Sequence, residues 1–153
     1  MKLWTEGTGA HSAGRVVQAT VKEQVKDISR QALSRGVRAL NALRNAELEA
    51  LKGQRSGRVY RKPHTKQATY TASAPGEVPA RRTGNLRMHW NGQVSQKTSF
   101  GNGTVISVEL ESQEKYAAYL ENGTAKMASR PFVEKIQEKA APEIAKIYSG
   151  PYT

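Results

Sequence analysis

Met88-His89-Trp90-Asn91-Gly92-Gln93-Val94, continued through Gly101-Asn102-Gly103 to Val105-Ile106-Ser107-Val108-Glu109-Leu110, reads as two strands joined by a tight turn. Met88, Trp90 and Val94 share one face of the first strand, and Ile106, Val108 and Leu110 alternate with Val105, Ser107 and Glu109 in the second. Asn-Gly supplies the positive φ angles that a short hairpin connection needs. A hairpin patterned this way buries one face against helices and leaves the other to solvent or a neighbour.

Helical periodicity lies on both sides. Upstream, Val17, Val21, Val25, Ile28 and Ala32 recur at three- and four-residue spacing, and Leu33, Val37, Leu40 and Leu43 continue after a shift of face. Gly36 marks a bend in this reading, and Gly53 closes the helix. Downstream, Glu114 to Asn122 reads as a short helix ended by Gly123. Phe132, Ile136, Ala140, Ile144 and Ile147 form the stripe of a last helix. Pro131 suits its first turn, with Ser129 or Arg130 near the cap, and Pro142 should kink or restart it. The expected fold is α+β: a long N-terminal helix, a small antiparallel sheet with a β-hairpin, and two C-terminal helices packed on the sheet. Residues 1–15 form a flexible arm in this reading and 16–153 one domain. Within it, 16–52 are the long helix, 53–87 a basic loop containing the short strand Arg58–Arg61, and 88–153 the hairpin and C-terminal helices.

Composition narrows the function. The 153 residues carry a net charge of +11. Residues 1–87 hold 17 Lys/Arg against 6 Asp/Glu, whereas 88–153 hold 7 of each. Between 52 and 87, nine basic residues face the single acid Glu77. A basic segment beside a neutral body points to an anionic neighbour, either DNA or an acidic protein surface, or to a solvated loop. No apolar run approaches the 18 residues of a membrane span, so no membrane partner is expected, and the first residues lack the apolar core of a signal peptide. With no cysteine there are no disulfides and no thiolate metal sites, as suits synthesis in a reducing cytoplasm.

No catalytic set stands out, and neither an enzyme activity nor a cofactor is expected. His11, His64 and His89 show no metal-ligand spacing. Glu109 and Glu111 share a strand face and read as a charged edge. Gly101-Asn102-Gly103 lacks the lysine and following helix of a phosphate-binding loop.

Binding signals concentrate in Ser73-Ala74-Pro75-Gly76-Glu77-Val78-Pro79-Ala80-Arg81-Arg82-Thr83-Gly84-Asn85-Leu86. Its prolines and glycines exclude a helix interior or central strand. Its end reads as a loop entering a helix, with Thr83 or Asn85 as N-cap. Arg81, Arg82 and Arg87 flank Thr83-Gly84, and Arg55, Arg58, Arg61, Lys62 and Lys66 lie upstream, suited to carboxylate or phosphate. Glu77 is read as an internal salt-bridge partner or a subunit contact. Tyr60 and Tyr70 are the only aromatics there, so base stacking is poorly supported and any DNA contact should be non-specific.

Ser-Ala-Pro-Gly-Glu-x-Pro-Ala followed by Thr-Gly-x-Leu-Arg resembles the signature of a tail-component family of long-tailed bacteriophages, small neck or tail-completion proteins. A second match is Tyr119-Leu120-Glu121-Asn122-Gly123-Thr124-Ala125-Lys126-Met127-Ala128-Ser129-Arg130-Pro131-Phe132. Order and spacing agree from about Arg58 to Ala145, with Val78 standing where a second proline is common. The resemblance implies a virion structural protein at the head–tail junction, made in the host cytoplasm and assembled as a homo-oligomeric ring of six or twelve copies. Its neighbours would be the head connector, adaptor or stopper on one side and the tail tube or terminator on the other. The ring would line the DNA passage and allow non-specific contact with packaged DNA. A tail-terminator subunit and a sequence-independent nucleic-acid-binding module are the alternatives.

On this reading the contact residues are Pro75, Gly76, Glu77, Pro79, Arg81, Arg82, Thr83, Gly84, Leu86 and Arg87, with Tyr119, Glu121, Gly123, Thr124, Met127, Arg130, Pro131 and Phe132. Arg55, Arg58, Arg61, Lys62 and Lys66 would face DNA or an acidic partner. The bland reading of the second motif is structural: Tyr119, Leu120, Met127 and Phe132 cover the sheet, and Gly123 and Pro131 punctuate helices. Glu121 and Arg130 are placed to pair across their loop.

Overall fold

The computed structural model describes residues 9–99 and 103–153, with side-chain surroundings omitted for 9–21, 98 and 99. The order is α1 (Gly9–Ala50), β1 (Val59–Arg61), β2 (Thr69–Thr71), α2 (Asn85–Met88), β3 (Trp90–Ser99), β4 (Gly103–Ser112), α3 (Ala117–Asn122) and α4 (Val133–Ser149). The chain is α+β, with two separate two-stranded antiparallel sheets, β1–β2 and β3–β4.

The β3–β4 hairpin forms as its alternation predicts. Trp90, Gly92, Val94 and Gln96 pair with Ser112, Leu110, Val108 and Ile106. Trp90, Val94, Ile106, Val108 and Leu110 are half-buried, while Gln93 and Glu109 are exposed and hydrogen-bonded to each other at 2.7 Å. Met88 does not join this face: it ends α2 and is 63% exposed. Of the connecting turn, Gly101 and Asn102 lie outside the described residues, and Gly103 has a φ of 79°.

α1 is the spine on which both the hairpin and α4 pack. It begins at Gly9, so residues 9–15, assigned by sequence to the arm, are helical; residues 1–8 lie outside the described residues. Its packed side differs from the expected stripe. Val25, Ile28, Leu33 and Val37 are exposed, and the buried positions are Arg35, Gly36, Ala39, Ala42, Ala46, Glu47 and Ala50. Small residues let a neighbouring element approach closely. An added Cβ on Gly36 would lie 2.7 Å from Ile106 Cγ2 and 3.0 Å from Val94 Cγ1, so this glycine serves sheet contact. Gly92 provides the reciprocal space, 2.8 Å from Leu40 Cδ1.

Phe132, Ile136, Ala140 and Ile147 are buried on α4, and Ile144 is half-buried, as the spacing predicts. Phe132 meets Trp90 edge to face at 6.1 Å, joining the start of α4 to the start of the sheet. Along its length α4 lies against α1, the long helix, more than against the hairpin. The helix runs through Pro142 without a break. Pro142 and Glu138, whose carbonyl loses its partner there, are both exposed, which keeps the missing bond in reach of water.

The last residues return to α1. Arg35 donates from Nη2 to the Pro151 carbonyl at 2.6 Å and lies 3.9 Å over the Tyr152 ring. Thr153 and Gln31 exchange two further hydrogen bonds.

Candidate functional site: two motifs joined around a cleft

The proline- and glycine-rich segment and the Tyr119–Phe132 segment form one block. Arg130 donates from Nε to Ser73 Oγ at 2.6 Å, from Nη2 to the Ser73 carbonyl at 3.2 Å, and from Nη1 to the Ala128 carbonyl at 2.9 Å. The Gly76 amide donates to the Ser129 carbonyl at 3.1 Å, and Lys135 reaches the Gly76 carbonyl at 3.4 Å. A planar guanidinium with several donors holds two backbones in register better than one ammonium does. Ser73 is buried, so the bonds from Arg130 to Ser73 are partly shielded from water, whereas those to Ala128 and from Lys135 are exposed.

Each acid of the two segments has a backbone task. Glu77 accepts from the Ala74 amide at 2.8 Å, the Ser56 amide at 3.1 Å and Ser56 Oγ at 2.5 Å. The Ser56 hydroxyl and these amides lower its pKa to about 2. It therefore fastens its own turn to Ser56, in the segment that follows the long helix, and makes no salt bridge among the described residues. Glu121 accepts from the Phe132 amide at 2.8 Å and the Val133 amide at 3.2 Å. It caps α4 from α3, so the expected Glu121–Arg130 pair is replaced by separate tasks for each partner. Pro131 stands before α4, whose flanking residue is Phe132, and α3 begins at Ala117, three residues later than expected.

Glycines shape both segments. At Gly123, with φ of 77°, a Cβ would lie 2.8 Å from the Ser129 amide nitrogen and 2.9 Å from the Met127 carbonyl oxygen. Thr124 and Met127 close this loop with reciprocal backbone bonds. Gly84, with φ of 94°, takes the N-cap position before α2, Asn85 is the first helical residue, and Thr83 Oγ1 accepts from the Asn85 amide at 3.4 Å from one position further out. Gly76, with φ of 79°, has open space around it and sits beside the exposed Pro75.

Between the segments lies a cleft of about 580 Å³. Leu51 and Pro79 are buried in its wall, and Leu86, Leu120 and Met127 are half-buried there. Tyr116 also lines it, its phenol pushed up in pKa by burial and by the charge of Glu114. Arg81, Arg82 and Thr83 are exposed at the same cleft, and neither arginine makes a side-chain hydrogen bond or ion pair among the described residues. Tyr119 is 61% exposed and Phe132 is 2% exposed, so of the residues expected to cover the sheet Phe132 is in the core and Tyr119 is outside.

Three expected contact cations are internal. Arg55 donates to the carbonyls of Ala50, Lys52, Gln54 and Pro79, closing the end of α1 in company with Gly53, whose φ is 103°. Arg87 donates to the Leu48 carbonyl at 3.3 Å, and Arg130 is held as described above. Beside Arg87 the structure reveals Glu47, which the sequence reading passed over. Its side chain is fully buried, Arg44 donates to one carboxylate oxygen, and the other has no hydrogen-bond partner among the described residues. Burial pushes Glu47 up to about 7, against the opposing pull of Arg44 and Arg87.

The free cations sit on the β1–β2 ribbon and beside it. Arg58, Arg61 and Lys66 are exposed, Lys62 is half-buried, and none makes a side-chain hydrogen bond or ion pair among the described residues. Tyr60 and Tyr70 stack across the ribbon at 5.9 Å, and Arg58 lies 5.8 Å over Tyr60. β2 is not expected from the sequence, which places only the strand Arg58–Arg61 within the loop 53–87.

Among the described residues no group of three His, Asp or Glu side chains is placed to hold a metal, and no helix is long and apolar enough to cross a membrane. Comparison with protein families, curated proteins and solved structures found no match.

Proposed function

We propose that the chain is a structural virion protein of a phage head–tail junction, a neck or tail-completion subunit. It assembles as a ring between the head connector and the tail and surrounds the DNA passage. The observation that carries the reading is the joining of the two motifs. Arg130, Ser73, Gly76 and Ser129 tie segments more than fifty residues apart into one block. Such a block presents the unpaired Arg81 and Arg82 and a partly apolar cleft at fixed positions, as docking to a neighbouring subunit requires. Contacts of this head-to-tail kind close into rings when the rotation between copies closes. The motif resemblance supplies the identity of the assembly.

Electron microscopy of particles assembled without this protein tests the reading. Full tailless heads beside separate finished tails are expected. Tails stopped early or grown too long would refute the neck role and assign the chain to the tail terminator.

A further inference from the structure

We infer that the β1–β2 ribbon is a contact for the phosphate backbone of duplex DNA, bound without regard to sequence. The inference rests on the ring reading for where DNA is met, but the chemistry belongs to the ribbon alone.

From Gly57 to Ala72 the ribbon contains Arg58, Arg61, Lys62 and Lys66 and no acidic residue. The backbones pair from Val59↔Thr71 to Arg61↔Thr69, with the Lys62 amide bonded to the Ala68 carbonyl at 2.8 Å. Successive side chains alternate across such a strand, so Arg58, Tyr60 and Lys62 share one side and Arg61 lies on the other. Four cations thus surround a narrow projection with no carboxylate of its own to neutralise them. Its surroundings are open: Val59 is 59% exposed and Tyr60 46% exposed.

The contrast with the other arginines supports a ligand role. Arg55, Arg87 and Arg130 spend their donors on carbonyls, whereas the ribbon cations have no side-chain hydrogen bond among the described residues. A two-stranded ribbon also has a width that the major groove of B-DNA accepts. Single strands are disfavoured because the aromatic faces are already in use: Tyr60 is stacked on Tyr70 and has Arg58 over its ring. An acidic protein surface is the competing partner, but the ribbon offers no buried apolar anchor of the sort that dominates protein interfaces.

Fluorescence anisotropy of the full chain with 30-bp duplexes of two unrelated sequences, titrated between 50 and 200 mM salt, tests this. Equal affinity for both sequences is expected. Four phosphate contacts predict a loss of about 100-fold in affinity over that salt range. The exposed triple variant R58Q/R61Q/K66Q, with circular dichroism unchanged, should lower the log–log salt slope by about 2.7. An unchanged slope in the variant would overturn the inference, placing the DNA contact elsewhere. Binding of poly-glutamate without binding of duplex at 50 mM salt would also overturn it, in favour of an acidic protein partner. The titration uses the free protein, so failure of ring assembly leaves its result standing, and the reverse holds for the particle experiment.

Discussion

Gly36→Ala sets helix propensity against packing. In an unencumbered helix interior the change gains about 1 kcal/mol. Here the new Cβ would be 2.7 Å from Ile106 Cγ2, 3.0 Å from Val94 Cγ1 and 3.7 Å from Val108 Cγ2. Carbon atoms pack at about 3.5–4.0 Å, so the first contact must lengthen by about 1 Å. Both close neighbours are β-branched residues with restricted χ1, and rotating one methyl away does not free the other. The hairpin must lift from α1, and a gap approaching 1 Å forfeits a quarter to a half of each contact's attraction. Overpacking of this kind costs about 1–3 kcal/mol, which outweighs or matches the propensity gain. We expect a net loss of about 1 kcal/mol in urea denaturation and a fall of about 2–4 °C in Tm. Ser34→Ala, on the exposed side of the same helix, serves as the control and should stabilise by a few tenths of a kcal/mol. If Gly36→Ala melts above the wild type, the close contact between α1 and the hairpin is refuted.

Two further expectations concern buried polar groups. Glu47 binds its proton more tightly in the fold, at about 7, than at its ordinary value of 4.5. Its contribution is therefore fully present below about pH 4.5 and is lost as pH rises through 7, amounting to about 3 kcal/mol. Denaturant melts from pH 4.5 to 8 should show that fall, and Glu47→Gln should flatten it; an equal slope in the variant would remove Glu47 as its source. Arg130→Lys and Ser73→Ala should each cost about 1–2 kcal/mol, with a coupling of about 1 kcal/mol in the double variant. Additive losses would mean that the two motifs are not energetically joined.

Periodicity made the β3–β4 hairpin and the α4 stripe legible, because alternation and 3.6-residue spacing each report one buried face. It misdirected the reading of α1. Large aliphatic residues at 25, 28, 33 and 37 drew the stripe, while the close-packed side is written in Ala39, Ala42, Ala46 and Ala50, which hydropathy weights lightly. That alanine spacing was the available signal. β2 spans only Thr69–Thr71, too short for an alternation to register. The proline- and glycine-rich segment was recognisable as specified structure, but its tie to Arg130 depends on residues 57 positions apart. Nor does sequence distinguish a guanidinium spent on carbonyls, as in Arg55, from one left free, as in Arg58.

The length of α1 gives the domain a mechanical property. A 42-residue helix is about 63 Å long at 1.5 Å per residue, and its first half extends beyond the hairpin contact at Gly36. Residues 22–28 are exposed, so no neighbour among the described residues braces that stretch. From Gln31, where Thr153 is bonded to the helix, to Lys22 the stretch measures about 13 Å, and a tilt of about 5° there carries Lys22 roughly 1 Å. Small adjustments where Ile106 and Val94 rest on Gly36 are therefore carried as a tilt into residues 22–28.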